Sequence, residues 1–181
     1  SLKVSDNHLV QTQGYSVEGI GANLYRYDAG SSTTIDGGFV FPGIGGVLSF
    51  SGTTFNGTVG TGRFIAVDQT VADVDKYGAD PSGVSISTSA FNRAVASNHA
   101  LKLNAGLYVV SEITINGNVV TGMGTASTTV KAAAGASYTI RLANHSNATY
   151  GWATKVLRDF TINGNSKTSD GIVWGSALSP E

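Results

Sequence analysis

The stretch from Val74 to Val110 constrains the fold of this chain more than any other part of the sequence. Its beginning, Val74–Tyr77, predicts a short strand that runs into a turn. Gly78 and Gly83 can adopt a positive φ in that turn, and Pro81 fixes φ between them. A helix and two further short strands follow, so the stretch predicts a change from strand to helix and back to strand.

The helix, predicted over Ser85–His99, is the one segment whose apolar residues follow a convincing helical period. The residues of its apolar face share i, i+3, i+4 spacing: Phe91, Ala94 and Val95. Ser85 or Ser87 can cap its start, and Asn98 can end it because Asn tolerates the left-handed C-cap. The two short strands that follow lie on either side of the turn Asn104-Ala105-Gly106.

This order of elements resembles the beginning of the right-handed parallel β-helices of the pectate-lyase superfamily, which includes many phage tailspikes and polysaccharide-degrading enzymes. The matching residues are Tyr77-Gly78-Ala79, Asp80, Gly83, Thr88, Ala90-Phe91, Ala94, Leu101-Lys102-Leu103, Ala105-Gly106 and Tyr108-Val109-Val110. Ile86-Ser87 stands where the family usually has two acids before the helix. The resemblance covers about residues 74–175 and implies the fold. It says little about activity, because one fold hosts many functions.

Residues 1–68 predict a small β-rich leader or adaptor domain, because glycines separate short apolar segments throughout this region. The candidate strands are His8–Gln13, Leu24–Asp28, Gly38–Phe41, Val47–Phe50 and Arg63–Asp68. From Leu24 to Tyr27 the residues alternate as in a half-buried strand. The segments Val10–Tyr15, Tyr25–Asp28 and Asp36–Gly38 also resemble a leader found in phage tailspikes.

The predicted fold class is therefore all-β. Residues 69–100 are expected to form a linker strand and a capping helix. Residues 101–181 are expected to form the first coils of a right-handed parallel β-helix that continues beyond Glu181.

Apolar strand cores recur roughly every twenty residues after position 100, as the coils of a β-helix require. They are Leu101–Leu103, Val119–Val120, Thr139–Leu142, Val156–Leu157 with Phe160–Ile162, and Ile172–Trp174. The sequence Thr-Ile-Asn-Gly-Asn occurs twice, at 114–118 and at 161–165, which predicts equivalent positions about two coils apart. Asn116 and Asn163 belong either to turns with a positive φ or to a buried Asn stack, and the Asn-Gly pairs favour turns.

Composition excludes several function classes. The formal net charge is −1, which gives no electrostatic basis for nucleic-acid binding. Without cysteine there is neither a disulfide framework nor thiolate chemistry. No apolar run approaches a membrane span, so we expect no membrane insertion. No signal-peptide pattern opens the chain. The sequence predicts no metal site and no cofactor.

Asp159 and Asp170 are the candidate catalytic residues. Glycoside hydrolysis needs two carboxylates about 5–9 Å apart across one sugar, and these two could lie on adjacent coils. The sequence favours the alternative, a surface or ion-pair role, since Asp159 follows Arg158 and Asp170-Gly171 is an ordinary turn dipeptide. A calcium-dependent lyase would need clustered acids, and no Asp-x-Asp pair lies near Lys155.

Tyr25, Tyr27, Trp152 and Trp174 are the candidate aromatic residues for binding carbohydrate or a partner. For the two tyrosines the alternative is core filling of a small sheet, which the sequence favours. In the coils, Trp152, Trp174, Tyr138 and Tyr150 are more aromatic groups than the interior can readily hold. We therefore expect outward aromatic patches that mark a contact, and the resemblance to tailspikes implies a homotrimer.

These observations predict the N-terminal part of a phage tailspike or tail fibre that recognises host cell-surface polysaccharide, and they leave open whether the full-length protein also degrades it. Residues 1–68 would contact other virion tail proteins, and the protein would act from the virion tail, outside the cell. The fragment alone is expected to be inactive. Two alternatives stay open: a bacterial pectate-lyase-like polysaccharide lyase or glycoside hydrolase, and a non-enzymatic structural virion adaptor.

Overall fold

The computed structural model describes residues 5–115, 119–143, 156–166 and 170–175. The leader contains a four-stranded antiparallel sheet with the spatial order β1-β2-β6-β3. Its strands are β1 (Leu9–Gln11), β2 (Leu24–Asp28), β3 (Val40–Ile44) and β6 (Thr61–Ala66). A short hairpin, β4 (Phe50–Ser51) and β5 (Thr54–Phe55), is inserted between β3 and β6.

The rest of the described chain winds through three parallel sheets, so the predicted parallel β-helix is confirmed. The first sheet stacks β7 (Val71–Asp73), β9 (Ala100–Lys102), β12 (Val119–Thr121) and β15 (Val156–Arg158). The second sheet stacks β8 (Ser82–Ile86), β10 (Gly106–Val110), β13 (Thr128–Ala132) and β16 (Thr161–Asn163). The third sheet stacks β11 (Ile113–Ile115), β14 (Tyr138–Ala143) and β17 (Asp170–Gly175).

Each sheet carries a column of apolar side chains, because parallel pairing in register places each residue beside its counterpart in the next coil. The three columns are Leu101–Val120–Leu157, Tyr108–Val130–Ile162 and Ile113–Ile140–Ile172. In each column the first two residues are almost fully buried. Burial of these columns holds the coils together, since apolar burial contributes about 25 cal/mol per Å².

The capping helix α1 (Thr88–Ala96) covers the open side of β11, the first strand of the third sheet. Its buried side chains include Phe91, whose ring meets the Tyr108 ring edge-on at 5.7 Å. Asn98 follows the helix with φ 58°, so the predicted left-handed ending is confirmed. The helix begins later than predicted, because Ser82–Ile86 pair with β10 as strand β8.

Two local predictions were wrong because side-chain hydrogen bonds decided the local structure. Val74–Tyr77 is a single turn of 3₁₀-helix rather than a strand, since the Asp73 carboxylate accepts the N–H of Asp75 and caps it. Ser87 occupies the N-cap position of α1, but its hydroxyl makes no cap bond. That hydroxyl instead accepts the N–H of Asp80 at 2.9 Å.

The two Thr-Ile-Asn-Gly-Asn copies do not occupy equivalent positions. Thr114 and Ile115 belong to β11 in the third sheet, whereas Thr161–Asn163 form β16 in the second sheet. The predicted spacing of roughly twenty residues per coil was also wrong, because the sequence separation between the paired residues Val120 and Leu157 is nearly twice that between Leu101 and Val120. Corner loops absorb these differences in length.

The turn role of Asn163 agrees with the structure, while Asn116 lies outside the described residues. The Asn163 side chain accepts the N–H of Asn165 at 2.8 Å, as in an Asx turn. The positive φ angles occur at Asn165 and Ser166 rather than at the Asn-Gly pair. Local side-chain bonding therefore shapes this corner.

The leader packs against the first coil around Tyr77. The Tyr77 hydroxyl lies 3.2 Å from the Asp36 carboxylate of the leader, and its ring meets Phe39 edge-on at 5.8 Å. The buried guanidinium of Arg93 donates to the Tyr77 carbonyl and to the Gly52 carbonyl of the hairpin. One continuous apolar core therefore spans leader, helix and coils.

Candidate functional site

The candidate carboxylates Asp159 and Asp170 belong to one coil rather than to adjacent coils. Asp159 follows β15 with φ 62°, and its carboxylate lies 3.8 Å from Arg158 Nε with both side chains largely exposed. The backbone of Asp170 pairs with Tyr138 at the start of β17, while its side chain lies outside the described part. The strand β16 separates the two residues along the coil.

The candidate aromatic residues occupy different environments. Tyr25 and Tyr27 are each only 3% exposed, and the Tyr25 hydroxyl donates to the Gly38 carbonyl at 2.9 Å. Both tyrosines therefore fill the core of the leader sheet, which is the alternative that the sequence favoured. Trp152 and the Trp174 side chain lie outside the described residues, although the Trp174 backbone pairs with Leu142.

Tyr138 does not contribute an apolar patch. Its ring is buried, and the Arg141 guanidinium stacks over it at 4.4 Å. The Tyr150 side chain lies outside the described residues. An outward aromatic contact surface on the coils therefore gains no support from Tyr138.

Two carboxylates that the sequence did not single out lie together beneath the first coils. The Asn104 amide donates to Asp73 at 3.0 Å and to Asp75 at 2.8 Å, and the Tyr108 hydroxyl donates to Asp75 at 2.9 Å. Lys102 Nζ lies 3.5 Å from Asp73. The network ties the first coil to the second and, through the Thr128 hydroxyl on the Asn104 carbonyl, to the third.

Burial sets the electrostatics of this network. Desolvation raises the pKa of Asp75, and the hydrogen bonds from Asn104 and Tyr108 oppose that rise. The pKa of Tyr108 is raised by burial and by the adjacent Asp75 charge. With Asp73 at 9% and Asp75 at 5% exposure, a polysaccharide cannot reach them, so the pair connects the coils and does not contact a ligand.

An aromatic cleft of about 210 Å³ opens on one face of the leader sheet. Its lining includes Tyr25, Phe41, Leu48 and Phe64, and it adjoins a second hollow of about 190 Å³ lined by Tyr15. The Tyr25 and Phe41 rings meet edge-on at 5.1 Å. The surface is almost wholly apolar, which suits an apolar group better than a hydroxyl-rich sugar.

A separate hollow, here called the helix groove, has a volume of about 320 Å³ and is mainly polar. It lies where the hairpin turn, the C-terminal half of α1 and strand β11 meet. Its lining residues are Thr53, Asn92, Val95, Ala96, Asn98, Glu112 and Thr114. Sequence reasoning missed this groove, because its polar residues come from three separated segments and share no spacing. The helix end predicted at Asn98 was the one feature of the sequence analysis that marks the position of the groove.

Among the described residues, no group of three or more His, Asp or Glu side chains could hold a metal ion. Within the same residues, no helix has the length and apolar character needed to cross a bilayer. The described surface therefore includes hollows of contrasting character: two adjoining apolar ones on the leader sheet and the polar helix groove.

No protein-family model and no curated protein matches the sequence. Solved structures nevertheless share the fold. Full-length tailspike protein 2 from Escherichia coli O157:H7 bacteriophage CAB120 aligns with a TM-score of 0.70 at 17% identity, over 99% of this chain and 23% of that chain. The enzymatically active domain of bacteriophage CBA120 tailspike protein 4 aligns with a TM-score of 0.71 at 17% identity, over 100% of this chain and 24% of that chain.

A bacterial protein shares the fold as well. Pantoea stewartii WceF, a glycan biofilm modifying enzyme with a tailspike-like parallel β-helix fold, aligns with a TM-score of 0.64 at 13% identity, over 96% of this chain and 25% of that chain. The chain thus spans about a quarter of the length of these structures. At such identities the similarity shows the fold alone, which is a tailspike-like parallel β-helix.

Proposed function

We propose that this chain is the N-terminal part of a phage tailspike or tail fibre that recognises host cell-surface polysaccharide. The observation that carries the proposal is the match of nearly the whole chain, leader included, to phage tailspikes. Any depolymerase activity resides in further coils, because the carboxylate pair of Asp73 and Asp75 is buried. The protein acts outside the cell as part of the virion tail.

We further propose that residues 1–68 serve mainly as a cap for the β-helix. The structure described as the enzymatically active domain of tailspike protein 4 covers 100% of this chain, so its aligned part includes the counterpart of the leader. The Tyr77 and Arg93 contacts give the leader a packed interface with the first coil. In this organisation residues 69–100 supply the first coil and its helix, and residues 101–181 supply the following coils.

The test uses this chain and a longer natural protein that contains it. Both are incubated with purified capsular polysaccharide, and binding, reducing ends and unsaturated products are measured. We expect the longer protein to bind, and this chain alone to release no product. Release of product by this chain would place the active groove within residues 1–181 and refute that part of the proposal.

The bacterial-enzyme alternative is supported by WceF, which shares the fold. Light scattering on the longer protein helps to distinguish the tailspike from the bacterial enzyme, because we propose that the tailspike assembles as a homotrimer. A mass independent of concentration and equal to one chain would contradict the trimer. Binding of polysaccharide without any product would instead favour the non-enzymatic adaptor.

A further inference from the structure

We infer that the helix groove binds one uncharged saccharide unit, at a site apart from any catalytic coil. The inference takes its ligand class from the polysaccharide recognition proposed above. The groove is formed by the leader hairpin, helix α1 and strand β11 together. It therefore exists only when the leader is packed on the β-helix.

The groove gathers polar groups that have unused hydrogen-bonding capacity. Within the described residues, the side chains of Asn92, Asn98, Thr53 and Thr114 take part in no hydrogen bond. One carboxylate oxygen of Glu112 accepts the N–H of Ser137 at 2.8 Å, and the other oxygen remains available to a ligand. Amides and hydroxyls both donate and accept, as the adjacent hydroxyls of a sugar require.

The shape and the floor of the groove suit a single pyranose ring. Its volume of about 320 Å³ lies at the lower end of the range for small-molecule sites, about 300–1,000 Å³. Val95 and Ala96 form an apolar floor between the polar groups, against which the C–H face of a ring can pack. A long extended chain of sugars would not fit within it.

Charge selects among saccharides. The groove lies beside the C-terminal end of α1, where helix carbonyls carry partial negative charge. The Glu112 carboxylate adds a full negative charge at its edge. Both disfavour an anionic sugar, so neutral hexoses and N-acetylhexosamines suit the site better than uronic acids do.

The experiment titrates the ¹⁵N-labelled chain with methyl glucoside, with N-acetylglucosamine and with glucuronate, and follows amide shifts by NMR. We expect the two neutral sugars to shift amides around Asn92, Asn98 and Thr114. Glucuronate should bind about tenfold more weakly, because one unfavourable charge contact costs roughly that factor.

Two variants remove the amides while keeping the backbone. Asn92→Ala places a better helix former in α1, and Asn98→Gly suits a residue with φ 58°. Each should weaken the binding of neutral sugars about fivefold, as loss of about one hydrogen bond predicts. Asn56→Ala, at an exposed position of the leader outside the groove, is the matched control and should bind as the unchanged chain does.

Glu112→Gln tests the charge argument separately. Glutamine keeps an acceptor for Ser137 and removes the negative charge, so the preference against glucuronate should disappear. Absence of shifts at the groove with both neutral sugars, or Asn variants that bind these sugars as tightly as the unchanged chain does, would overturn the inference. If the longer protein binds polysaccharide while neutral sugars cause no shifts at the groove, the groove site is refuted and the proposed function stands.

Discussion

Replacement of Arg93 by methionine should separate the leader from the β-helix. Arg93 is 8% exposed, and among the described residues no carboxylate lies within ion-pair distance of it. Its guanidinium donates to the Tyr77 carbonyl and packs 4.5 Å from the centre of the Phe50 ring. The same side chain therefore holds the first coil and the hairpin of the leader.

The expected loss of stability follows from these contacts. A hydrogen bond from a charged group contributes about 2 kcal/mol, and a desolvated cation–π contact about 1 kcal/mol. The bond to the Gly52 carbonyl is long, at 3.3 Å, and adds little. Removal of a buried cation recovers part of its desolvation cost. We therefore expect a net loss of about 2 kcal/mol, which lowers Tm by roughly 4–8 °C in a chain of this size.

The assay combines urea unfolding with limited proteolysis of the exposed segment 67–70 between leader and β-helix. Arg93→Met should unfold at lower urea and be cut faster in this segment. Arg93→Lys should do no better, because an ammonium keeps the charge but lacks the planar fork. Arg158→Met is the matched control, since that side chain is 63% exposed and its ion pair contributes little. Equal stability and equal cutting of Arg93→Met and Arg158→Met would refute the reasoning.

Three further outcomes are expected. Burial raises the pKa of Asp75 above 3.8, so its ionised form opposes folding: the cost is absent while Asp75 is protonated and grows as pH rises through its folded pKa. Urea titrations should therefore show stability falling with rising pH more steeply in the unchanged chain than in Asp75→Asn, and parallel curves would contradict this. Gly38→Ala places a Cβ 2.3 Å from the Tyr77 ring and should lower the free energy of unfolding by about 1–3 kcal/mol. Gly30→Ala should not, because its Cβ would meet only the Asp28 carboxylate, at an ordinary contact distance of 3.9 Å. Asp159→Asn should change unfolding by less than about 0.5 kcal/mol and leave polysaccharide cleavage by the longer protein unchanged, so a large drop in cleavage would restore Asp159 as a catalytic residue.

The sequence by itself determined the features that depend on neighbouring residues. The 3.6-residue period of Phe91, Ala94 and Val95 identified the only α-helix of the described residues, and the left-handed preference of Asn98 identified its end. Alternation in Leu24–Asp28 identified β2 to the residue. Each of these signals lies within one element, where local periodicity and backbone preference decide the conformation.

Only the tertiary structure decided which strands stack on one another. The Thr-Ile pairs that open the two Thr-Ile-Asn-Gly-Asn copies lie in strands of different sheets, because corner loops of unequal length shift the point at which each coil returns. The Asp73–Asn104–Tyr108 network and the helix groove join residues from separate coils. No sequence period records such contacts, because they depend on the loops between the strands and on the leader packed against them.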